Sequence, residues 1–194
     1  MNPGDRLCLH RARAALLVID VQARLCTAMN PDRLRRVRQN TVILVEGAKA
    51  LGLPVFVTEQ YPKGIGPTVE DVAAALPPGQ RIFEKLTFSC AGVPELMEAL
   101  DALAASGRDQ LLVAGMETHV CVFQTVRDLL LTDPPRAVFA VEDAMISRTE
   151  ENHAVGLELM ARAGAVRTSA EAALFDLLGQ AGTAEFKKVS KLIK

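Results

Sequence analysis

The chain has 194 residues, 49% of them hydrophobic and only 4% aromatic, and its 22 Lys+Arg against 23 Asp+Glu leave a formal net charge of −1. That length suits one compact domain burying roughly 70% of its unfolded surface, and the composition argues against a disordered chain and against a nucleic-acid binder, which shows a basic excess or stacking aromatics. Four scattered cysteines (Cys8, Cys26, Cys90, Cys121) without a C-x-x-C pair, and three separated histidines (His10, His119, His153), argue against a disulfide scaffold and a structural zinc site.

In chain order, the first apolar run is Ala14–Ile19, which ends at Asp20. It is too short for a secretory signal, and no run reaches about 18 apolar residues, so no membrane span is expected. A transit peptide would consume what reads as the first core strand. The chain therefore reads as cytoplasmic, with a mitochondrial destination left open.

A helix is predicted over roughly 32–51, where Leu34, Val37, Leu44, Val45, Ala48 and Leu51 fall on one face; Pro31 precedes it, and Gly52 with Pro54 stops it. A second strand follows at Pro54–Thr58, then the Gly/Pro-rich loop Gln60–Pro67, placed at a pocket rim. A weak strand at Arg81–Glu84 leads to a helix near 93–105, the strand Gln110–Gly115 to a helix near 119–131, and the strand Arg136–Val141 to a helix near 149–163. A weak strand at Ala165–Thr168 precedes a helix near 170–178. The strands are nearly continuous apolar runs, as expected where both faces of a parallel sheet are covered. The predicted fold is α/β: a three-layer α/β/α Rossmann-like sandwich with a mostly parallel six-stranded sheet. Residues 1–182 are taken as one domain, and the basic stretch 183–194 as a C-terminal helix or arm.

In such a sheet ligands collect at the carboxyl ends of the strands. Asp20 follows the first strand, Glu59 and Gln60 the second, Lys85 the weak third, and Glu117, Thr118, His119 and Cys121 the fourth. Cys121 sits at a strand-to-helix turn, where the helix dipole lowers a thiol pKa and free N–H groups can hold an oxyanion; a buried, inert cysteine is the competing reading. Asp20, at an apolar-to-polar boundary, suits general-base work or a turn-forming role. Lys85 is a solvated lysine or a cation for a thiolate. Together the three would supply an acid/base group, a cation and a nucleophile.

The segments LLVIDVQARL, EKLTFSC and GMETHVCVFQTVRDLL, over about residues 14–178, resemble the isochorismatase-like cysteine hydrolase superfamily. The loop TEQYPKGIGPT and the tail EFKKVSKLIK resemble its isochorismatase domain-containing, MAR1-like branch. The resemblance implies an Asp–Lys–Cys triad at Asp20, Lys85 and Cys121. It also implies a non-proline cis peptide at Met116–Glu117 that aims the N–H groups of Glu117 and Cys121 at an oxyanion. The implied reaction is hydrolysis of a small amide or ester through an acyl-enzyme on Cys121.

Two departures qualify it. Thr58-Glu59-Gln60-Tyr61-Pro62 holds no histidine where nicotinamidases bind a metal, so neither a metal nor another cofactor is expected. Isochorismatase proper lacks the nucleophilic cysteine that Cys121 would be. A ribonuclease reading lacks a His pair and a basic field.

Gln22, Leu25, Glu59, Gln60, Tyr61, Phe88, Cys90 and His119 are candidate pocket residues. The expected partners are a small-molecule substrate and further copies of the chain in a homo-oligomer, dimer or tetramer, with no nucleic acid and no membrane. The alternative is a catalytically silent binding or interaction protein that retains the hydrolase pocket. A dinucleotide-binding dehydrogenase is disfavoured because Asp20-Val21-Gln22-Ala23 replaces the glycine-rich fingerprint.

Overall fold

The computed structural model describes residues 6–132 and 136–194; residues 1–5 of the expected 1–182 domain, and 133–135, lie outside the described residues. Six strands, β1 (Ala14–Ile19), β2 (Val55–Gln60), β3 (Ile82–Lys85), β4 (Gln110–Met116), β5 (Ala137–Ile146) and β6 (Val166–Thr168), form one sheet in the order β3-β2-β1-β4-β5-β6. Every neighbouring pair is parallel. The expected three-layer sandwich is thus found, and the sheet is parallel throughout.

All six residues of β1 are buried, and they divide by alternation between two cores. Leu16 and Val18 face a core closed by the helices α2 (Pro31–Leu51), α4 (Glu70–Ala75), α8 (Ala170–Leu178) and α9 (Ala184–Ile193). Leu17 and Ile19 face a core closed by α5 (Pro94–Ala105), α6 (Phe123–Leu130) and α7 (Glu150–Ala163). This two-sided burial is why the strand reads as an unbroken aliphatic run. The helix ends follow local chemistry. The Asn30 side chain accepts the N–H groups of Asp32 and Arg33 to start α2, and Gly52 ends it in the left-handed region at φ 69°. Thr149, Ser169 and Thr183 cap α7, α8 and α9 in the same manner.

Glu59, Gln60 and Lys85, expected to follow their strands, are instead the last residues of β2 and β3, whose pairing reaches Gln60 and Lys85. Four further local features depart from the sequence reading. Strand β5 runs five residues beyond Val141, and its register against β4 shifts between Val113 and Gly115, so Glu142 and Asp143 lie inside an irregular strand. The loop after β2 contains the helical turn α3 (Pro62–Ile65), and α4 follows it. A short turn, α1 (Ala23–Cys26), follows β1 after Asp20-Val21-Gln22. The segment at Cys121 is a π-helical turn, Thr118–Val122, that precedes α6.

Candidate active site

The site forms at the carboxyl edge of the sheet, where the order reverses between β1 and β4. Glycine at position 115 permits the close approach of these strands: its φ is 128°, and a Cβ there would stand 2.0 Å from the backbone oxygen of Ile19. The following peptide, Met116–Glu117, is cis. On the far side of the turn, Gly156 of α7 lies against it, since a Cβ at that position would stand 2.8 Å from the carbonyl of Thr118.

Asp20, in the left-handed region at φ 53°, is fully buried, and Lys85 and Cys121 are 4% and 6% exposed. Asp tolerates this conformation better than most side chains. Lys85 Nζ stands 2.6 Å from Asp20 Oδ2, and among the described residues no other N–H or O–H donor reaches that oxygen. The ammonium also donates to Gln60 Oε1 at 2.7 Å and to the carbonyl of Phe88 at 2.9 Å, with the Thr87 carbonyl at 3.3 Å. Cys121 lies in the π-helical turn after β4, the strand beside β1, and the charges of Asp20 and Lys85 both act on its thiol. Asp20 and Lys85 meet from β1 and β3.

Burial raises the Asp20 carboxyl above its ordinary range, although Lys85, Thr58 and Cys121 pull against it. Burial also acts against the Lys85 ammonium, but the Asp20 charge, joined by the Cys90 and Cys121 sulfurs only where they ionise, outweighs it and holds the proton more tightly than usual. Burial first, and the Asp20 charge second, push the Cys121 thiol up to about 12, with Lys85 opposing them. The expectation that a helix dipole would lower this thiol is therefore corrected: desolvation and the adjacent carboxylate win, and the thiol is neutral at pH 7.

The period-two alternation of β2 sorts its end. Thr58 and Gln60 face the ion pair, with Thr58 Oγ1 donating to Asp20 Oδ1 at 2.7 Å. Glu59 points the other way, where its Oε1 accepts the Thr68 N–H at 2.6 Å and hydroxyl at 2.7 Å. It pins the loop after α3 rather than joining the ion pair. Gln22 is likewise committed to the backbone. Its amide donates to the carbonyls of Gln60 and Gly66 and accepts the Gln60 N–H. Leu25 packs against the α2-side core.

Tyr61 and Phe88 are half-exposed near these elements, at 50% and 55%. Cys90 is buried in the 3-10 turn Cys90–Gly92, and its thiol donates to Thr58 Oγ1 at 3.7 Å. His119 Nδ1 lies 3.0 Å from Ser147 Oγ, while Glu117 Oε2 accepts the backbone N–H and Nε of Arg148. Thr58, Ser147 and Arg148 were not singled out in the sequence. Thr58 alone had a readable signal, since it shares a strand face with Gln60. Among the described residues no group of three His, Cys, Asp or Glu converges to hold a metal ion, and no helix is long and apolar enough to cross a membrane.

A parallel three-layer sandwich with a buried Asp–Lys ion pair and a thiol at its strand-reversal point defines a class of α/β proteins built to carry chemistry at that edge. The chain belongs to the isochorismatase family, whose domain profile matches residues 14–172. It is 42% identical over 164 residues to the secreted isochorismatase effector Isc1 of Phytophthora sojae, covering 84% of this chain and 76% of that protein. It is 37% identical over 154 residues to isochorismatase domain-containing protein 2 of Bos taurus, covering 78% of this chain and 70% of that one. The solved structure of a MAR1 ribonuclease from Caenorhabditis elegans superposes with a TM-score of 0.87 at 32% identity, covering 96% of this chain and 92% of that one.

Proposed function

We propose that this protein is a metal-independent cysteine hydrolase of a small amide- or ester-type substrate, working through a covalent acyl-enzyme on Cys121. What supports the reading is the buried Asp20–Lys85 ion pair, with Cys121 in the turn after the neighbouring strand β4, at the carboxyl edge of the sheet.

Asp20 accepts the Cys121 proton as the sulfur attacks the substrate carbonyl and the C–S bond forms. That transfer removes the negative charge that holds the thiol up, while Lys85 stays charged beside the thiolate. The N–H groups of Glu117 and Cys121 receive the tetrahedral oxyanion. Protonated Asp20 then gives its proton to the departing amine or alcohol, leaving a thioester. Water, losing a proton to Asp20, adds to the thioester; the C–S bond breaks, the acid leaves, and the proton returns to Cys121.

Tyr61, Phe88 and His119 are the proposed substrate-facing residues, with Gln60 acting through Lys85. The ribonuclease name of the worm relative is not carried over, because the charge balance is even and both His119 and His153 are held by hydroxyl partners. Residues 1–182 form the proposed catalytic unit. The proposed arm 183–194 carries α9, and its buried Val189 and the Arg11–Glu185 pair at 3.2 Å support its packing on that unit. A cytoplasmic homo-oligomer completes the proposal. The exposed apolar side chain of Leu86 supports association between copies.

A panel of small amides and esters tests the reaction. Turnover that disappears in both Cys121→Ala and Cys121→Ser supports it; turnover that survives in either variant sinks it.

A further inference from the structure

The two oxygens of the Asp20 carboxylate have different surroundings. Oδ2 faces Lys85 Nζ at 2.6 Å, while Oδ1 accepts the hydroxyl of Thr58 at 2.7 Å. Thr58 Oγ1 in turn accepts the Cys90 thiol at 3.7 Å, and the Cys90 N–H donates to Thr125 Oγ1 at 2.9 Å. A threonine hydroxyl carries one hydrogen. Burial first, and the Asp20 charge second, push the Cys90 thiol up to about 11. Cys90 therefore keeps its proton at neutral pH and acts toward Thr58 as a donor. The single Thr58 hydrogen is left to Asp20.

Thr58 is fully buried in a strand whose other buried β-branched positions, Val55 and Val57, are apolar. Packing alone would be served equally by valine, and a buried hydroxyl is costly unless it is bonded. We infer that Thr58, oriented by Cys90, is a positioning residue for the Asp20 base: its hydrogen holds the carboxylate in its anionic form and in one orientation beside Lys85 and Cys121. The ionisable groups facing Asp20 are Lys85 from β3, Cys121 from the turn after β4 and Cys90 from the 3-10 turn. Thr58 is the neutral donor from β2.

The inference rests on the hydrolase reading, and its test needs no substrate. The rate at which iodoacetamide modifies Cys121 is followed against pH by peptide mass mapping. Its acid limb marks the pH at which the Asp20–Cys121 pair loses its first proton. In Thr58→Val the carboxylate loses a charge-assisted donor, so the limb moves up by roughly one pH unit. Thr58→Ser, which restores the hydroxyl, returns it to the wild-type position. A packing role alone would lower the melting temperature and leave the limb in place.

An unmoved limb in Thr58→Val, or an equal shift in Thr58→Ser, overturns the inference. If Thr58→Val does not fold, Thr58→Ala removes the same hydroxyl and must give the same shift. Failure of the hydrolase reading looks different: wild-type Cys121 then reacts no faster than the other thiols, and the inference falls with it.

Discussion

Removing the ammonium of Lys85 is predicted to be among the most destabilising single changes in the chain. Both members of the Lys85–Asp20 pair have fully buried side chains 2.6 Å apart. Lys85→Met keeps the aliphatic stem but leaves a buried carboxylate whose Oδ2 has lost its donor, together with unsatisfied acceptors at Gln60 and Phe88. Breaking a buried pair in this way costs about 3–5 kcal/mol, whereas removing both charges is often close to neutral. The double variant Lys85→Met/Asp20→Asn, which keeps an oxygen acceptor for Thr58, is therefore expected to recover at least about 2 kcal/mol of the loss. In a chain of this length the single change lowers the melting temperature by roughly 10 °C. Urea denaturation at pH 7 and fixed protein concentration measures both variants. A Lys85→Met cost below about 1 kcal/mol, or a double variant less stable than the single one, would refute the picture of a mutually dependent buried pair.

Further outcomes follow from the same geometry. Stability should decline in alkali. Unfolded thiols lose their protons near pH 9, while folded Cys90 and Cys121 hold theirs to about 11 and about 12. Their contribution is thus complete below pH 9 and is lost as pH rises, by about 1.4 kcal/mol per unit for each thiol. Burial also raises the Cys26 thiol and adds loss of the same sign; Cys121→Ser should remove one thiol's share of the slope of the unfolding free energy between pH 9 and 10.5, and an unchanged slope would contradict the assignment. Lys85, also raised, adds loss of the same sign above 10.5. Gly115→Ala places a Cβ 2.0 Å from the Ile19 oxygen at a positive φ, so soluble folded protein should be lost; a normal yield and melting temperature would be incompatible with the close strand approach. Gly156→Ala, against the Thr118 carbonyl, should cost about 1–3 kcal/mol in chemical denaturation, the range for overpacking. An unchanged midpoint would show that α7 does not press on the turn.

The sheet was legible because its strands are covered on both faces. Ala14–Ile19 and Gln110–Gly115 read as aliphatic runs for the reason that they are buried throughout. The carboxyl-edge rule gathered Asp20, Glu59, Gln60, Lys85, Glu117, Thr118, His119 and Cys121, and the family resemblance implied Asp20, Lys85 and Cys121 among them as the triad. The elements that escaped were those set by tertiary packing. Strand β5 continues through Glu142 and Asp143 because the chain bulges there: the Asp143 carbonyl accepts the Asn40 amide, and the Asp143 carboxylate caps α8 at Ala170. No local pattern reports that. The direction of the Cys121 shift was missed for a related reason. A helix terminus is visible in sequence, but the burial of the thiol and the nearness of Asp20 come only from folding. Glu59 and Gln60 are adjacent in sequence and opposite in role, which strand alternation could have separated once Thr58 was seen to face Asp20.

In the proposed hydrolase, Asp20 and Cys121 work as one proton-sharing pair. The most direct measurement of that sharing is the rate of iodoacetamide modification of each cysteine at pH 7, resolved by peptide mass mapping in wild type and in Asp20→Asn. Although its resting thiol is neutral, Cys121 should react ahead of Cys8, Cys26 and Cys90 because Asp20 takes its proton as the sulfur attacks, and Asp20→Asn should slow it by about a hundredfold while leaving Cys8 and Cys26 unchanged. A Cys121 that reacts no faster than its neighbours, or equally fast without the Asp20 carboxylate, would contradict the account.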